Sequence, residues 1–573
     1  MAKISASKVL LKARSLERKG DLKGARILYE SVLAAFPQNR QAEKAISVLW
    51  RNQYHELLML YERGYYEKVI HQGRLVVQEF PRVYEVWELI GVASLQVNDQ
   101  DSAATAFQKA VELSSDNAGA HSNLGIALAR RGQFAEAIES YQKAIAINSN
   151  CAETHGNLGM ALRVEGQLAL AIESYKRAIG IDPNSADNHV NLGIALATEG
   201  QFVEAIESYQ SAIAIDPDSA DTHNNLGLAL AAQGHFGEAI ESYQRAISID
   251  QNHSKAHNNF GIALAQQGRL TEAIEFYQRA LAIDPNYAKA LTNLGVALAD
   301  QGDFAEAIKT YQRAISIQPD FADTHSNLGN ALKAQGQLLD AIESYQRAFT
   351  IDPTDRNCLR NFGILLKAVR FHDPIPHLYP MLGNLISLGN LVRPFEVAPA
   401  ILSLLKHDPI LQPLLDGSTL PDDVSDVLNV IDNLASLPLL HQLMRLCPLA
   451  DLDIEALLCA IRSRILENLD RLNETSRLHE FQSSLALQCF TNEYVFYESD
   501  RELLLIEDLE NRVREEIESG KQSDLKMVLC LSAYRPMHNY QWAAMFDWPN
   551  VSGDVKRRLI DEPLQERELL EDI

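Results

Sequence analysis

Asparagine recurs at a fixed spacing of 34 residues through the middle of this chain. The recurring residues are Asn123, Asn157, Asn191, Asn225, Asn259, Asn293, Asn327 and Asn361, and each opens an Asn-Leu-Gly or Asn-Phe-Gly triplet. A constant period of this length is typical of two-helix units that bury their apolar faces only by packing on one another. The period therefore predicts a curved solenoid of stacked helix pairs rather than a globule.

Residues 186–217 show the pattern inside one unit. Apolar residues at i, i+3 and i+4 spacing predict two amphipathic helices. They are Leu192, Ala195 and Leu196 in the first helix and Ala205, Ile206, Tyr209, Ala212 and Ile213 in the second. Gly193 leaves room for a close approach of the two helices, and Gly200 favours the left-handed conformation that ends the first helix. Pro217 then ends the second helix.

The recurring small and aromatic residues of these units resemble the tetratricopeptide repeat. The set Gly125, Gly132, Ala137 and Tyr141 returns at the same spacing in each following unit, and Trp87 begins a less regular copy upstream. We expect about ten units over residues 6–355. The predicted fold is all-α: a right-handed tetratricopeptide-repeat solenoid of about ten helix pairs, followed by an all-helical C-terminal domain.

Interruptions of the period set the expected domain boundaries. Gly20 and Gly64 lie 44 residues apart, which places an insertion of ten residues at the first junction. At the other end, Pro374, Pro376 and Pro380 break the helical pattern. The expected domains are a degenerate N-terminal repeat with its insertion (1–49), two divergent repeats (50–117), seven regular units (118–355), a terminal half-repeat (356–373) and the all-helical C-terminal domain (374–573).

Composition and charge restrict the class of protein. The 573 residues are 46% apolar and 22% charged, which favours a folded chain, and no apolar stretch reaches the length of about 18 residues that a membrane span needs. The basic N-terminal segment lacks the apolar core of a signal peptide. A formal net charge of -24 argues against nucleic acid, which requires a concentrated basic track. Six scattered cysteines suit reduced thiols. We predict a cytoplasmic protein with no membrane or nucleic-acid partner.

The seven recurring asparagines from Asn123 to Asn327 are the candidate binding residues. Asparagine is a mediocre helix former, and here it occupies the middle of a predicted helix rather than a cap. The resemblance to the tetratricopeptide repeat implies that this position points into the concave surface lined by the first helices. One turn further along the same face stand Ile126, Met160, Ile194, Leu228, Ile262 and Val296. Because an amide donates and accepts hydrogen bonds at once, the row is predicted to bind an extended peptide irrespective of its sequence.

Passive inheritance is the alternative explanation for the asparagines. The units have near-identical segments such as Glu-Ala-Ile-Glu-Ser-Tyr-Gln, so duplication alone can have copied the asparagine. Ligand preference would depend on the charged neighbours, which have mixed signs. They are Glu153, Arg163, Asp187, Asp221, Lys255, Lys289, Asp323 and Lys333. The sequence identifies neither the partner nor the oligomeric state.

Histidines recur two residues before the asparagines. They are His121, His155, His189, His223, His257 and His325. Neighbouring helices lie about 8–10 Å apart, so one histidine per unit cannot place several nitrogens within about 2.1 Å of one metal ion. Since Trp87 holds the same place in its unit, we predict that these histidines fill packing space between repeats and bind no metal.

The region after residue 374 has no 34-residue period but keeps helical patterns, including a capping box from Ser499 to Glu502 and a stop at Gly520. Segments 486–499, 531–539 and 561–573 resemble the linker region of bacterial tetratricopeptide-repeat methyltransferases that use S-adenosylmethionine. The catalytic domain of that family would follow the last segment. Cys489, beside Asn492 and Glu493, has no histidine nearby in sequence to act as a base, so it is predicted to be a buried thiol.

The chain lacks recognisable catalytic motifs. No glycine-rich cofactor loop, phosphate loop, zinc-binding helix motif or nucleophile elbow is present, so neither an enzyme nor a bound cofactor is predicted. The predicted function is a protein-interaction scaffold. The alternative is the substrate-recruiting part of a truncated or split methyltransferase. An O-linked N-acetylglucosamine transferase has a similar asparagine-bearing array, but that resemblance extends only to the repeats.

Overall fold

The structure is a computed structural model that describes residues 6–416, 423–472, 475–491, 498–519 and 523–536. All regular secondary structure in these ranges is helical, which confirms the predicted all-α class and the run of helix pairs typical of a tetratricopeptide-repeat solenoid. The chain divides into two compact units, residues 1–284 and 285–573. None of the described helices combines the length and apolar character that a membrane crossing requires.

The first unit consists of helices paired in chain order. Their bounds are α1 Ala6–Arg18, α2 Leu22–Ala35, α3 Arg40–Glu62, α4 Tyr66–Glu79, α5 Tyr84–Gln96, α6 Gln100–Leu113, α7 Ala118–Arg130, α8 Phe134–Ile147, α9 Ala152–Val164, α10 Leu168–Ile181, α11 Ala186–Thr198, α12 Phe202–Ile215, α13 Ala220–Ala232, α14 Phe236–Ile249, α15 Ser254–Gln266 and α16 Leu270–Ile283. Odd-numbered helices are the first members of each pair. From α5 to α16, the first helices have 13 residues and the second helices 14.

The inserted residues at the first junction lengthen a helix. Helix α3 has 23 residues, ten more than the 13-residue α11. The insertion therefore adds almost three helical turns rather than a loop. The predicted boundary between residues 49 and 50 falls inside this helix.

The glycines of the repeat act as the sequence pattern predicts. Gly200 has φ +83° and ends α11, and Asn98 takes the equivalent place in the third pair with φ +59°. A Cβ atom placed on Gly193 would lie 2.6 Å from Cε1 of Tyr209, which is 2% exposed. The tyrosine of the second helix therefore packs directly on the glycine of the first.

The second unit begins with two further pairs and continues with helices of 5 to 19 residues. Their bounds are α17 Ala288–Asp300, α18 Phe304–Ile317, α19 Ala322–Ala334, α20 Leu338–Ile351, α21 Arg356–Leu366, α22 Tyr379–Ser387, α23 Pro394–Leu405, α24 Gln412–Asp416, α25 Val424–Ala435, α26 Pro438–Leu446, α27 Leu452–Asn468, α28 Ser476–Thr491, α29 Asp500–Glu518 and α30 Leu525–Ser532. The described residues of this unit also form 3-10 turns at Pro376–Leu378 and Leu469–Arg471.

Helix α28 lies at the centre of the C-terminal helices, where it packs against α25, α26 and α30. Its residues from Leu478 to Cys489 are almost all buried, including polar ones such as Gln482, which is 1% exposed. A helix that is buried on every side needs apolar or hydrogen-bonded residues all round, which explains its weak amphipathic pattern in the sequence.

Several predictions concern residues outside the described ranges. The capping box from Ser499 to Glu502 is confirmed at the start of α29, whereas the stop at Gly520 lies outside the described residues. Asn492, Glu493 and the terminal segment 561–573 also lie outside them, as do parts of the other two segments that resemble the methyltransferase linker.

Candidate functional site

Each recurring asparagine is the sixth residue of its first helix. In the first unit, Asn123, Asn157, Asn191, Asn225 and Asn259 occupy this place on α7, α9, α11, α13 and α15. All five are partly exposed, and successive first helices contact each other. We call these five residues the amide row. In the second unit, Asn293 on α17 and Asn327 on α19 hold the same place, and these two helices also contact each other.

Three members of the amide row have amides that the fold does not use. Within the described residues, the side chains of Asn157, Asn191 and Asn225 make no hydrogen bond. A partly exposed amide has two donor protons and a carbonyl oxygen that accepts. These three side chains can therefore bind groups outside the chain without breaking an internal contact.

Asn259, at the end of the row, differs because its side chain makes hydrogen bonds to two other amides. The Nδ2 of Asn259 donates to Oδ1 of Asn224 on the neighbouring helix α13, at 2.9 Å. The Nδ2 of Asn258 donates to Oδ1 of Asn259 at 3.2 Å. Asn259 is thus partly engaged in joining two first helices. The paired asparagines at 224–225 and 258–259 were visible in the sequence, but their bridging role depends on the distance between helices.

The predicted apolar residues lie beside the amides. Met160 and Leu228 are 39% and 45% exposed, respectively. Ile126, Ile194 and Ile262 are partly exposed, as is Val296 in the second unit. In the first unit, amide and apolar side chains therefore alternate along neighbouring helices. Such a surface combines hydrogen bonding to a peptide backbone with apolar contacts to its side chains.

A carboxylate that was not predicted lies beside Asn123. Glu88 on α5 faces the Asn123 amide, and burial together with the neighbouring charge of Glu85 raises the pKa of Glu88. Burial and Glu88 in turn raise the pKa of the Tyr54 hydroxyl on α3. Carboxylates are therefore concentrated at the Asn123 end of the amide row.

The predicted charged neighbours are mostly exposed. Glu153, Asp187, Asp221 and Lys255 are exposed in the first unit. Asp221 accepts a hydrogen bond from Nε2 of His253, at 3.1 Å. In the second unit, Lys289 and Asp323 are exposed, whereas burial lowers the pKa of Lys333. Arg163 is partly buried. Exposed side chains of both signs are therefore present on the first helices of each unit.

The recurring histidines make one repeated hydrogen bond. In every case Nε2 lies 2.9–3.1 Å from the backbone carbonyl six residues earlier, as between His223 and Pro217. Nε1 of Trp87 donates in the same way to the carbonyl of Pro81, at 3.2 Å. A carbonyl can only accept, so each histidine carries its proton on Nε2. Burial lowers the pKa of His257, which favours its neutral form. The packing role predicted for these residues therefore includes a hydrogen bond that holds the inter-repeat turn.

Replacing His223 by phenylalanine is expected to destabilise the turn before α13 by about 1 kcal/mol, because the Pro217 carbonyl loses its donor. Replacement by tryptophan keeps an N–H group at this place, as Trp87 does, and is expected to destabilise the turn less. Thermal unfolding and amide exchange at residues 217–221 would measure the loss of stability in each variant. Equal losses in the two variants would contradict a role for the hydrogen bond.

Cys489 is a buried thiol, as predicted. Its side chain is 1% exposed, and burial raises its pKa to about 12. A thiol with this pKa is almost entirely protonated at neutral pH and is a poor nucleophile.

Comparison with known families supports the repeat assignment. Residues 93–132 and 118–151 match tetratricopeptide-repeat families. Residues 151–357 match the family described as the C-terminal domain of cilia and flagella-associated protein 70. The chain therefore contains tetratricopeptide repeats, the class of helix-pair repeat that its sequence resembles. The comparisons do not show the resemblance to the methyltransferase linker.

Solved structures with similar folds cover only part of the chain. MamA is 28% identical, with 28% of this chain and 95% of MamA aligned and a TM-score of 0.27. YrrB, described as a tetratricopeptide-repeat protein with an unusual peptide-binding site, is 27% identical over 35% of this chain and 99% of its own, with a TM-score of 0.29. A tetratricopeptide-repeat protein from Parabacteroides merdae is 15% identical over 44% of this chain and 98% of its own, with a TM-score of 0.39. A comparison with curated proteins finds no match.

Proposed function

We propose that this protein is a non-catalytic scaffold whose amide row binds an extended segment of a partner protein. The proposal rests on the unused amides of Asn157, Asn191 and Asn225. These side chains are partly exposed at equivalent places on neighbouring helices, and within the described residues they make no side-chain hydrogen bond. Large surfaces of this kind are the usual binding sites of repeat proteins.

Backbone recognition follows from the chemistry of the amide. Each asparagine can donate to a peptide carbonyl and accept from a peptide N–H, and each such bond contributes about 0.5–1.5 kcal/mol net. Adjacent first helices lie about 8–10 Å apart, close to the length of three residues of an extended chain at about 3.3 Å each. One asparagine per helix would therefore meet an extended ligand about once in every three residues.

Side-chain preference would come from the groups around the row. Met160 and Leu228 offer exposed apolar contacts. Glu88, with Glu85 beside it, favours a basic ligand residue next to Asn123. The preferred ligand is thus a peptide with alternating apolar residues and a lysine or arginine towards one end.

The test is a triple variant, Asn157→Ala, Asn191→Ala and Asn225→Ala. A binding peptide is first selected from a displayed random library with the full chain as bait. Its Kd is then measured by fluorescence anisotropy, and we expect the triple variant to bind at least tenfold more weakly. Folding should be preserved or improved, since alanine is favoured over asparagine in a helix by up to about 0.7 kcal/mol per site.

A matched control is available on the second helices of the same pairs. Lys176 on α10, Gln210 on α12 and Gln244 on α14 are exposed there at equivalent places, and their replacement by alanine should leave Kd unchanged. If the asparagine triple binds the selected peptide as tightly as the unaltered chain does, the asparagines are passive products of duplication and the proposal fails.

A further inference from the structure

A polar cleft with a volume of about 460 Å³ lies between α27 and α29. Four arginines line it: Arg464 on α27, Arg471 at the end of the 3-10 turn, and Arg501 and Arg512 on α29. A cluster of four guanidinium groups is unexpected in a chain with a net charge of -24. Guanidinium groups bind carboxylates through paired hydrogen bonds, so the cleft is suited to an anionic ligand.

Three carboxylates of the chain also line the cleft. Glu467 accepts from Nη1 of Arg464 and pairs with Nη1 of Arg501, both at 3.0 Å, and its side chain is only 16% exposed. Asp470 accepts two hydrogen bonds from Arg512, at 2.7 and 3.4 Å, and this contact holds the pKa of Asp470 below its usual value. Asp508 lies 3.7 Å from Arg512.

The charges do not balance within the lining. Four arginines face three carboxylates, which leaves one positive charge in excess. Arg471 is exposed and has no ion-pair or hydrogen-bond partner among the described residues. The side chains of Asp470 and Asp508 are 71% and 67% exposed. Exposed ion pairs contribute little to stability, so an incoming anion can share their arginine without a large loss.

The length of the cleft indicates the kind of anion. Arg501, Leu505, Asp508, Leu509 and Arg512 line it from one face of α29. At about 1.5 Å per residue, Arg501 and Arg512 are separated by about 16 Å along the helix axis. This distance matches about five residues of extended chain at about 3.3 Å each. A single phosphate or carboxylate would occupy only one end.

The lining of the cleft also offers an apolar contact. Leu505, four residues after Arg501, lines the cleft and is partly exposed, and Leu509 lies one turn further along the same face of α29. Leucines beside arginines suit a ligand that carries carboxylates and an aliphatic side chain. The lining contains no aromatic residue within the described part of the chain, so it offers no stacking surface for a nucleobase.

We propose that the cleft between α27 and α29 binds an acidic peptide segment of a partner protein, about five residues long. One acidic residue pairs with Arg464 and Arg501, and another, at the far end, pairs with Arg471 and Arg512. An aliphatic residue between them packs against the leucines of α29. This second docking site is independent of the amide row, and either one can be correct without the other.

The probe for this site is a fluorescein-labelled Glu-Glu-Leu-Glu-Glu peptide, with Gln-Gln-Leu-Gln-Gln as its uncharged counterpart. Fluorescence anisotropy with the full chain should detect binding of the acidic peptide only. The affinity should fall as KCl is raised, because salt screens exposed charges. Arg471→Glu combined with Arg501→Glu should weaken binding at least tenfold.

Two further variants separate site binding from general charge and from misfolding. Arg177→Glu changes the net charge in the same direction at an exposed position on α10 and should bind the peptide as the unaltered chain does. Arg471→Gln removes only the exposed, unpaired guanidinium and should weaken binding several-fold without disturbing the ion pairs of Glu467. Equal binding of the two peptides, or an equal loss in Arg177→Glu, would overturn the proposal. Displacement of the acidic peptide by inorganic phosphate at a concentration near the peptide's own Kd would also overturn it, in favour of a small-anion site.

Discussion

Replacement of Gly193 by leucine is expected to lower the free energy of unfolding of the α11–α12 pair by about 3 kcal/mol, the upper part of the range for overpacking. A Cβ at this position would lie 2.6–2.9 Å from three ring atoms of Tyr209. The ring cannot move aside without opening the core, because Tyr209 is 2% exposed. Hydrogen exchange across residues 186–215 is the direct measurement, since repeat units can unfold locally.

A glycine in open space serves as the control. A Cβ atom placed on Gly237, near the start of α14, would meet no neighbouring side chain within 4 Å. Alanine there should be neutral or stabilise by up to about 1 kcal/mol. Similar exchange rates in Gly193→Leu and the unaltered chain would show that the glycine is not required for helix pairing.

Replacement of Arg462 by alanine is expected to destabilise the C-terminal helices by about 3 kcal/mol or more. This side chain is 3% exposed. Its Nη1 donates to the Ala533 carbonyl at 3.2 Å, and its guanidinium lies 4.1 Å from the centre of the Tyr534 ring. The Tyr534 hydroxyl in turn donates to Glu502 at 3.2 Å. Arg462 therefore links α27 to α30 and, through Tyr534, to α29.

Thiol labelling would measure this loss of stability in the C-terminal helices. Cys489 and Cys530 are 1% and 2% exposed, and burial raises the pKa of both thiols to about 12. Maleimide labelling of these cysteines should accelerate at least tenfold in Arg462→Ala, because local unfolding exposes them and restores their ordinary acidity. Arg462→Met keeps most of the volume and should lose less stability. Arg477→Ala, at an exposed position on α28, should label as the unaltered chain does.

The roles of residues that depend only on the local backbone could be predicted from the sequence. Gly200 was expected to end a helix because few other residues adopt a positive φ, and its φ is +83°. Ser499 and Glu502 were expected to cap a helix because their spacing matches the N-terminal turn, and both capping hydrogen bonds are present. The spacing of Gly20 and Gly64 indicates ten extra residues at the first junction. It does not predict that these residues are helical, because a repeat period locates an insertion without specifying its conformation.

Contacts between helices are decided by the tertiary structure. The histidines were expected to fill space, but the carbonyl that each one binds lies in the turn before its own helix, so the bond depends on the path of that turn. Likewise, the bridge from Asn259 to Asn224 depends on the distance between α13 and α15. The arginine cleft is formed by residues up to 48 positions apart, from Arg464 to Arg512, in a region that has no repeat.

The sequence alone determined the class of fold, because a 34-residue period with fixed glycines has one simple solution, a stack of helix pairs in which each unit contacts its neighbours. It also located the asparagines and the apolar residues beside them. The tertiary structure decided which of these amides are already used by the fold and how charges from distant segments meet between α27 and α29. These properties depend on distances between side chains on different helices, which a linear pattern does not contain.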